Sequence, residues 1–148
     1  MRRRYSLVAM CVSGGVLLGG CGVRQADGLP SVTWGEVACA ECHMLISEER
    51  FAVSLVLASG ETEFLDSVDC LARRLHREPA VFRRVWVHDY EGSPWIDGHD
   101  AAYVQSPELR TPMGLGIVAV GDAQRAEALA DRVHGRVLRF DELRAVGA

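Results

Sequence analysis

The chain reads as an α+β domain built of two similar ββαβ halves, and three observations predict it. Apolar residues alternate at period 2 through Phe51, Val53, Leu55 and Leu57, and again at Val85 and Val87, the spacing that turns one face of a strand into a core. Asp66 and Asp122 each precede a stretch whose apolar residues recur at helical spacing. The order of these signals then repeats along the chain, as a duplicated unit would give.

Taken in order, the elements begin with an address. Arg2, Arg3 and Arg4 form a positive region ahead of Tyr5 to Leu18, a mostly apolar run too short for a bilayer, which takes about 20 residues. Leu18-Gly19-Gly20-Cys21 sets small residues before a cysteine and resembles a bacterial lipobox. Residues 1–20 therefore read as a cleaved lipoprotein signal and Cys21 as the lipidated residue. This places the protein in the cell envelope, anchored to a membrane and facing the periplasm, with the outer membrane favoured over the inner. Residues 21–33 are a polar tether, and residues 34–146 are the folded domain. Losing Arg2, Arg3 and Arg4 takes the formal charge from −4 to −7, which argues against a nucleic-acid partner.

Within the domain, Phe51 to Ala58 is a strand, Ser59-Gly60 a turn and Glu61 to Phe64 the returning strand. Asp66 caps a helix whose apolar stripe is Val68, Leu71, Ala72 and Leu75, ending before Pro79. Arg83 to Asp89 is a third strand. The second pass has an irregular segment from Glu91 to Gly114, a strand from Leu115 to Val120, a helix from Asp122 to His134 stopped by Gly135, and a last strand from Arg136 to Phe140.

Cysteine usage narrows the chemistry. Cys11 leaves with the signal and Cys21 is acylated, so Cys39, Cys42 and Cys70 remain. Three is odd, which leaves at least one thiol for ligation or exchange in an oxidising compartment. In Cys39-Ala40-Glu41-Cys42-His43-Met44, two thiols and a thioether suit a soft ion such as Cu(I). The same letters spell a c-type haem attachment, with Met113 a distal ligand on paper. The strand-like alternation after the cluster argues against a helical cytochrome. A thiol redox partner using Cys39 and Cys42 would place that pair at the start of a helix after a strand, which the residues following Cys42 do not match. If the segment is extended, Cys42 and Met44 share a side and His43 points away. Met113 lies in a Pro-Met-Gly turn, where a polarisable side chain could close the site. Cys70 falls off the apolar stripe, beside Asp66 and near Arg73 and Arg74, a place where its thiolate is favoured. No nucleophile triad, phosphate loop or nucleotide fingerprint is present, so no enzymatic activity is expected.

Five segments appear in an order that carries a resemblance: Cys39-x-x-Cys42-x-Met44, Phe64-Leu65-Asp66-Ser67-Val68-Asp69-Cys70, Val87-His88-Asp89-Tyr90, Ala101-Ala102-Tyr103-Val104 and Thr111-Pro112-Met113-Gly114-Leu115-Gly116. Behind a lipobox, they make the chain resemble the NosL family, the accessory lipoproteins of nitrous oxide reductase. The resemblance implies a fold of two ββαβ halves related to organomercury lyase. It also implies a chaperone that takes Cu(I) toward the copper–sulfide centre of the reductase, with the assembly machinery, including an ABC-type transporter, as partner. The expected ligands are Cys42, Met44 and Met113 with Cys39 assisting, Cys70 and His43 as further candidates, and Asp66 and His88 behind them. The family usually has Gly where this chain has His43.

Overall fold

The computed structural model describes residues 28–78, 82–92 and 94–147, so the signal sequence, Cys21 and most of the tether lie outside the described residues. Strand β1 (Val53–Leu57) is central to a four-stranded antiparallel sheet. It pairs with β2 (Thr62–Leu65) on one side and β3 (Phe82–His88) on the other, and β4 (Trp95–Asp97) adds to β3. A second antiparallel sheet has β5 (Ala102–Gln105) between β6 (Ile117–Val120) and β7 (Arg136–Leu138). Helix α1 (Val68–Arg77) lies between β2 and β3 in the chain, α2 (Ala123–Arg132) lies between β6 and β7, and the single turn α3 (Leu143–Val146) closes it. The fold is α+β as expected. The element orders β1-β2-α1-β3 and β5-β6-α2-β7 share one connectivity, each with its first strand in the middle.

The second sheet is buried on both faces, and this divides the core. Tyr103, Ile117, Ala119 and Leu138 join Val53, Leu55, Val85 and Val87 of the first sheet and Leu71 and Leu75 of α1 in one cluster. Val104, Val118 and Val120 turn the other way, against Ala126, Leu129 and Ala130 of α2. Alternation along each strand thus feeds two cores, the period-2 consequence of a sheet covered on both sides. Asp89, just past β3, ties the halves together. Its carboxylate accepts from Gly121 N–H at 3.1 Å and from both terminal nitrogens of Arg125 at 2.8 and 2.9 Å.

Several boundaries differ from expectation. The cap of α1 is Ser67, whose Oγ accepts from Cys70 N–H at 3.4 Å, and Asp66 is turned inward instead. Asp122 caps α2 as expected, accepting from Arg125 N–H at 2.9 Å. That helix ends at Arg132. His134 takes the left-handed conformation (φ 46°), and Gly135 is required because a Cβ there would stand 2.6 Å from the Gln105 carbonyl oxygen. The expected irregular segment from Glu91 to Gly114 holds both β4 and β5. A three-residue strand and a four-residue strand set among turns are too short to show a period.

Candidate metal centre

Residues 35–46 form a tight hairpin rather than an extended run. Ile46 N–H donates to Val37 C=O and Cys39 N–H to Met44 C=O, while Ala38 and Leu45 form a bridge and Ile46 plugs the end into the core. The chain reverses over Cys39 to His43, with His43 N–H donating to Cys39 C=O at 2.9 Å and His43 at φ 63°. Because the segment turns, the expected shared side for Cys42 and Met44 does not arise from strand alternation. The left-handed position suits glycine better than histidine, since a Cβ costs about 1–2 kcal/mol in that region. His43→Gly should therefore leave thermal stability equal or slightly higher and soft-metal affinity within a few-fold. Loss of binding in that variant would make the imidazole a ligand.

The reversal aims sulfur inward. Cys39 Sγ accepts from Glu41 N–H and Cys42 N–H, both at 3.4 Å, and from the backbone of Asp66. Cys39 is 1% exposed and Cys70 0%, and the sulfurs of Cys39, Cys42 and Cys70 all lie within 4.8 Å of one another. With metal–sulfur bonds of about 2.3 Å, two sulfurs on opposite sides of an ion stand about 4.6 Å apart. The cluster is therefore of a size for one soft ion to bridge.

Its electrostatics are asymmetric. The Cys70 thiol donates to Cys39, which, with the backbone N–H groups, outweighs burial and holds Cys39 down at about 4, as a thiolate. Cys70 moves the opposite way, raised first by that same hydrogen bond and then by burial. Burial raises Cys42 as well. The expectation that Cys70 lies off the core, with its thiolate favoured by the helix end, is thus corrected on both counts. Cys70 is fully buried because the hairpin covers it, and its proton is held by Cys39.

Helix α1 organises the whole site by its spacing. Cys70, Arg74 and Arg77, at i, i+4 and i+7, face the hairpin. Arg77 reaches Glu41 at 2.6 Å and Arg74 approaches the same carboxylate at 3.9 Å, so the segment between Cys39 and Cys42 is fastened through Glu41 to the helix that bears Cys70. Asp69 and Arg73, again i and i+4, face the loop of Met113, and Arg73 donates to the Met113 carbonyl at 3.5 Å. Sequence reasoning missed Asp69, Arg77 and Glu41. The signal was there in the i, i+4 charges beside a helical cysteine.

The other candidates separate. Met44 is 45% exposed at the hairpin tip and Met113 is half-buried against the core. His43 is exposed and stands outside the thiol cluster. His88 is buried elsewhere, between Trp34 and Trp95 at ring-centroid distances of 5.9 and 4.3 Å, with Glu49 at 3.4 Å, and burial lowers its pKa. Asp66 is pushed up to about 6 by burial and by the Cys39 thiolate. A group raised in the folded state from the ordinary 3.8 favours folding while protonated, so the metal-free protein should lose stability as pH rises from about 4 to about 6. Asp66→Asn should flatten the melting temperature across that window relative to the parent, and parallel profiles for the two would refute it. The haem reading fits poorly, because a thioether bond needs Cys39 open to a porphyrin edge and its sulfur is enclosed.

Fold and site together define a small α+β protein that gathers soft ligands at the start of one helix. The chain belongs to the NosL family, whose sequence model matches residues 32–146. It is 29% identical over 139 residues to the copper-binding lipoprotein NosL of Stutzerimonas stutzeri, covering 85% of this chain and 73% of that protein. Its fold is similar to the crystal structure of the copper chaperone NosL from Shewanella denitrificans, with a TM-score of 0.66 and 24% identity over 80% of this chain and 95% of that one. No described helix is long and apolar enough to cross a membrane.

Proposed function

We propose that this protein is a lipid-anchored envelope copper chaperone with no catalytic role. It is held by Cys21, carries Cu(I) as cargo and delivers it for assembly of the copper–sulfide centre of nitrous oxide reductase. The observation that carries the reading is the sub-5 Å grouping of three thiols, two of them buried. Thiolates select a soft monovalent ion over the harder cations, and the similarity to relatives named for copper supports the choice of metal. Cys39, Cys42 and Cys70 form the holding set. Met44 and Met113 are neutral thioethers, which exchange readily and would let an incoming ligand draw the ion away. The client and the transporter among its partners are proposed on the resemblance to the NosL family.

Titration against a Cu(I) chelator, with proton release recorded, is the test. Ions displace bound protons on ligation, and at neutral pH Cys42 and Cys70 carry protons whereas Cys39 does not. Loading all three sulfurs should release two protons per ion, so apparent affinity should rise about a hundredfold per pH unit near neutrality. Release of one proton would remove either Cys42 or Cys70 from the set, and failure to compete with the chelator would overturn the copper reading. In cells lacking the protein, the reductase should be deficient in its copper–sulfide centre. A fully loaded reductase would remove that client.

A further inference from the structure

Met113 stands some 43 residues beyond Cys70 in the chain (113 minus 70), yet its loop is fastened to the first turn of the helix that carries that cysteine. The fastener is a single side chain. Asp69, 0% exposed, accepts from Thr111 Oγ1 at 2.5 Å and from Leu115 N–H at 3.1 Å through one carboxylate oxygen, and from Ile117 N–H at 3.0 Å through the other. Thr111 Oγ1 accepts in turn from Gly116 N–H at 3.0 Å, and Gly114 N–H closes a turn onto Thr111 C=O at 3.2 Å. Gly116 (φ 68°) is obligatory, because a Cβ there would fall 2.0 Å from the Ser106 carbonyl oxygen. The loop thus wraps its backbone around one buried carboxylate and leaves Met113 at its crest, with Arg73 holding the Met113 carbonyl from the next turn of α1.

We propose that Asp69 is a positioning residue for metal binding: by clamping residues 111–117 to the helix that bears Cys70, it sets the Met113 thioether against the thiol cluster. The proposal rests on the copper reading above. Three donors converging on one buried carboxylate fix the loop's position and its rotation about the helix. Groups that orient a ligand in this way typically cost about 10–100-fold in metal affinity when removed. An asparagine of the same shape cannot accept from all three donors, because one of its two terminal atoms is itself a donor.

The test is a double-mutant cycle on the full-length protein, read as Cu(I) affinity by chelator competition. Asp69→Asn should weaken binding roughly 10–100-fold in the parent. In a Met113→Ala background it should change binding by no more than about twofold. Thr111→Val, which removes one bond of the three, should show the same dependence on Met113 with a smaller loss, and it carries the cycle if Asp69→Asn fails to fold. With 13C-methyl methionine, Cu(I) should shift the Met113 methyl resonance in the parent, and that shift should be lost in Asp69→Asn while Cys39 and Cys70 still bind. Equal losses with and without Met113, or a Met113→Ala variant that binds as tightly as the parent, would overturn this proposal alone. A parent protein that does not bind Cu(I) would overturn it together with the copper reading.

Discussion

Replacing Cys39 with Ser should lower Cu(I) affinity by about a hundredfold or more. The magnitude follows by analogy with structural zinc sites, whose binding free energy of about 10–16 kcal/mol divided among three or four ligands gives roughly 2.5–5 kcal/mol for each. Cys39 carries more than its share of the geometry, because its sulfur accepts from the Glu41 and Cys42 N–H groups that shape the hairpin and also from the Cys70 thiol. Serine stays neutral and hydroxylic at neutral pH, so it neither supplies the thiolate nor accepts those bonds as an anion. Cys70→Ala should give a loss of the same order, whereas Met44→Ala, at the exposed hairpin tip, should cost about tenfold or less. Chelator competition ranks the three, and a Cys39→Ser variant with parental affinity would return the site to Cys42, Met44 and Met113 alone.

The largest expected effect on stability is at Asp89. Burial opposes its charge, yet the Arg125 guanidinium and the N–H groups of Gly121 and Glu91 hold its carboxyl below the usual carboxylate range. Asp89→Ala would strand those donors, together with Gly92 N–H at 3.1 Å, at the junction between the end of β3 and the start of α2. Asp89 itself is buried, so leaving these donors unpaired is destabilising, and the exposure of Arg125 tempers the loss. Denaturant unfolding should show the loss, while Cu(I) affinity measured where the variant is folded should be unchanged. A midpoint equal to the parent's would mean the two halves hold together without this link. Because the carboxyl is depressed, the stabilisation is present above its ordinary value and fades as pH falls below about 4.

The strands β1, β2, β3 and β6 and both long helices were legible because each has an alternating, buried or capped pattern that local physics imposes whatever the surroundings. The short strands β4 and β5 and the turn α3 were not. Leu143 of α3 is fully buried, and Gly147 lies so close to α1 that a Cβ would fall 2.1 Å from the Ala72 carbonyl oxygen, but a four-residue turn carries no period to read. At the site, spacing placed Cys39, Cys42 and Met44 on one short segment, yet the assumption of an extended chain misjudged their directions. His43 takes the left-handed conformation that turns the segment, but a histidine is not among the residues that signal a turn in sequence.

By itself the sequence determined the chemistry on offer: three cysteines within residues 34–146, two thiols and a thioether on one short segment, and a helix with a cysteine in its first turn. These follow from composition and local spacing, which a chain carries before it folds. Only the tertiary structure decided which thiol is charged and which are neighbours. The apolar stripe of α1 marks the face turned to aliphatic side chains, and nothing local shows that the opposite face is covered by a hairpin some 30 residues earlier and a loop some 45 residues later. Contacts of that separation depend on how the two sheets pack around α1. The burial that raises Cys70, the donors that lower Cys39 and the carboxylate of Asp69 that holds the Met113 loop all arise there.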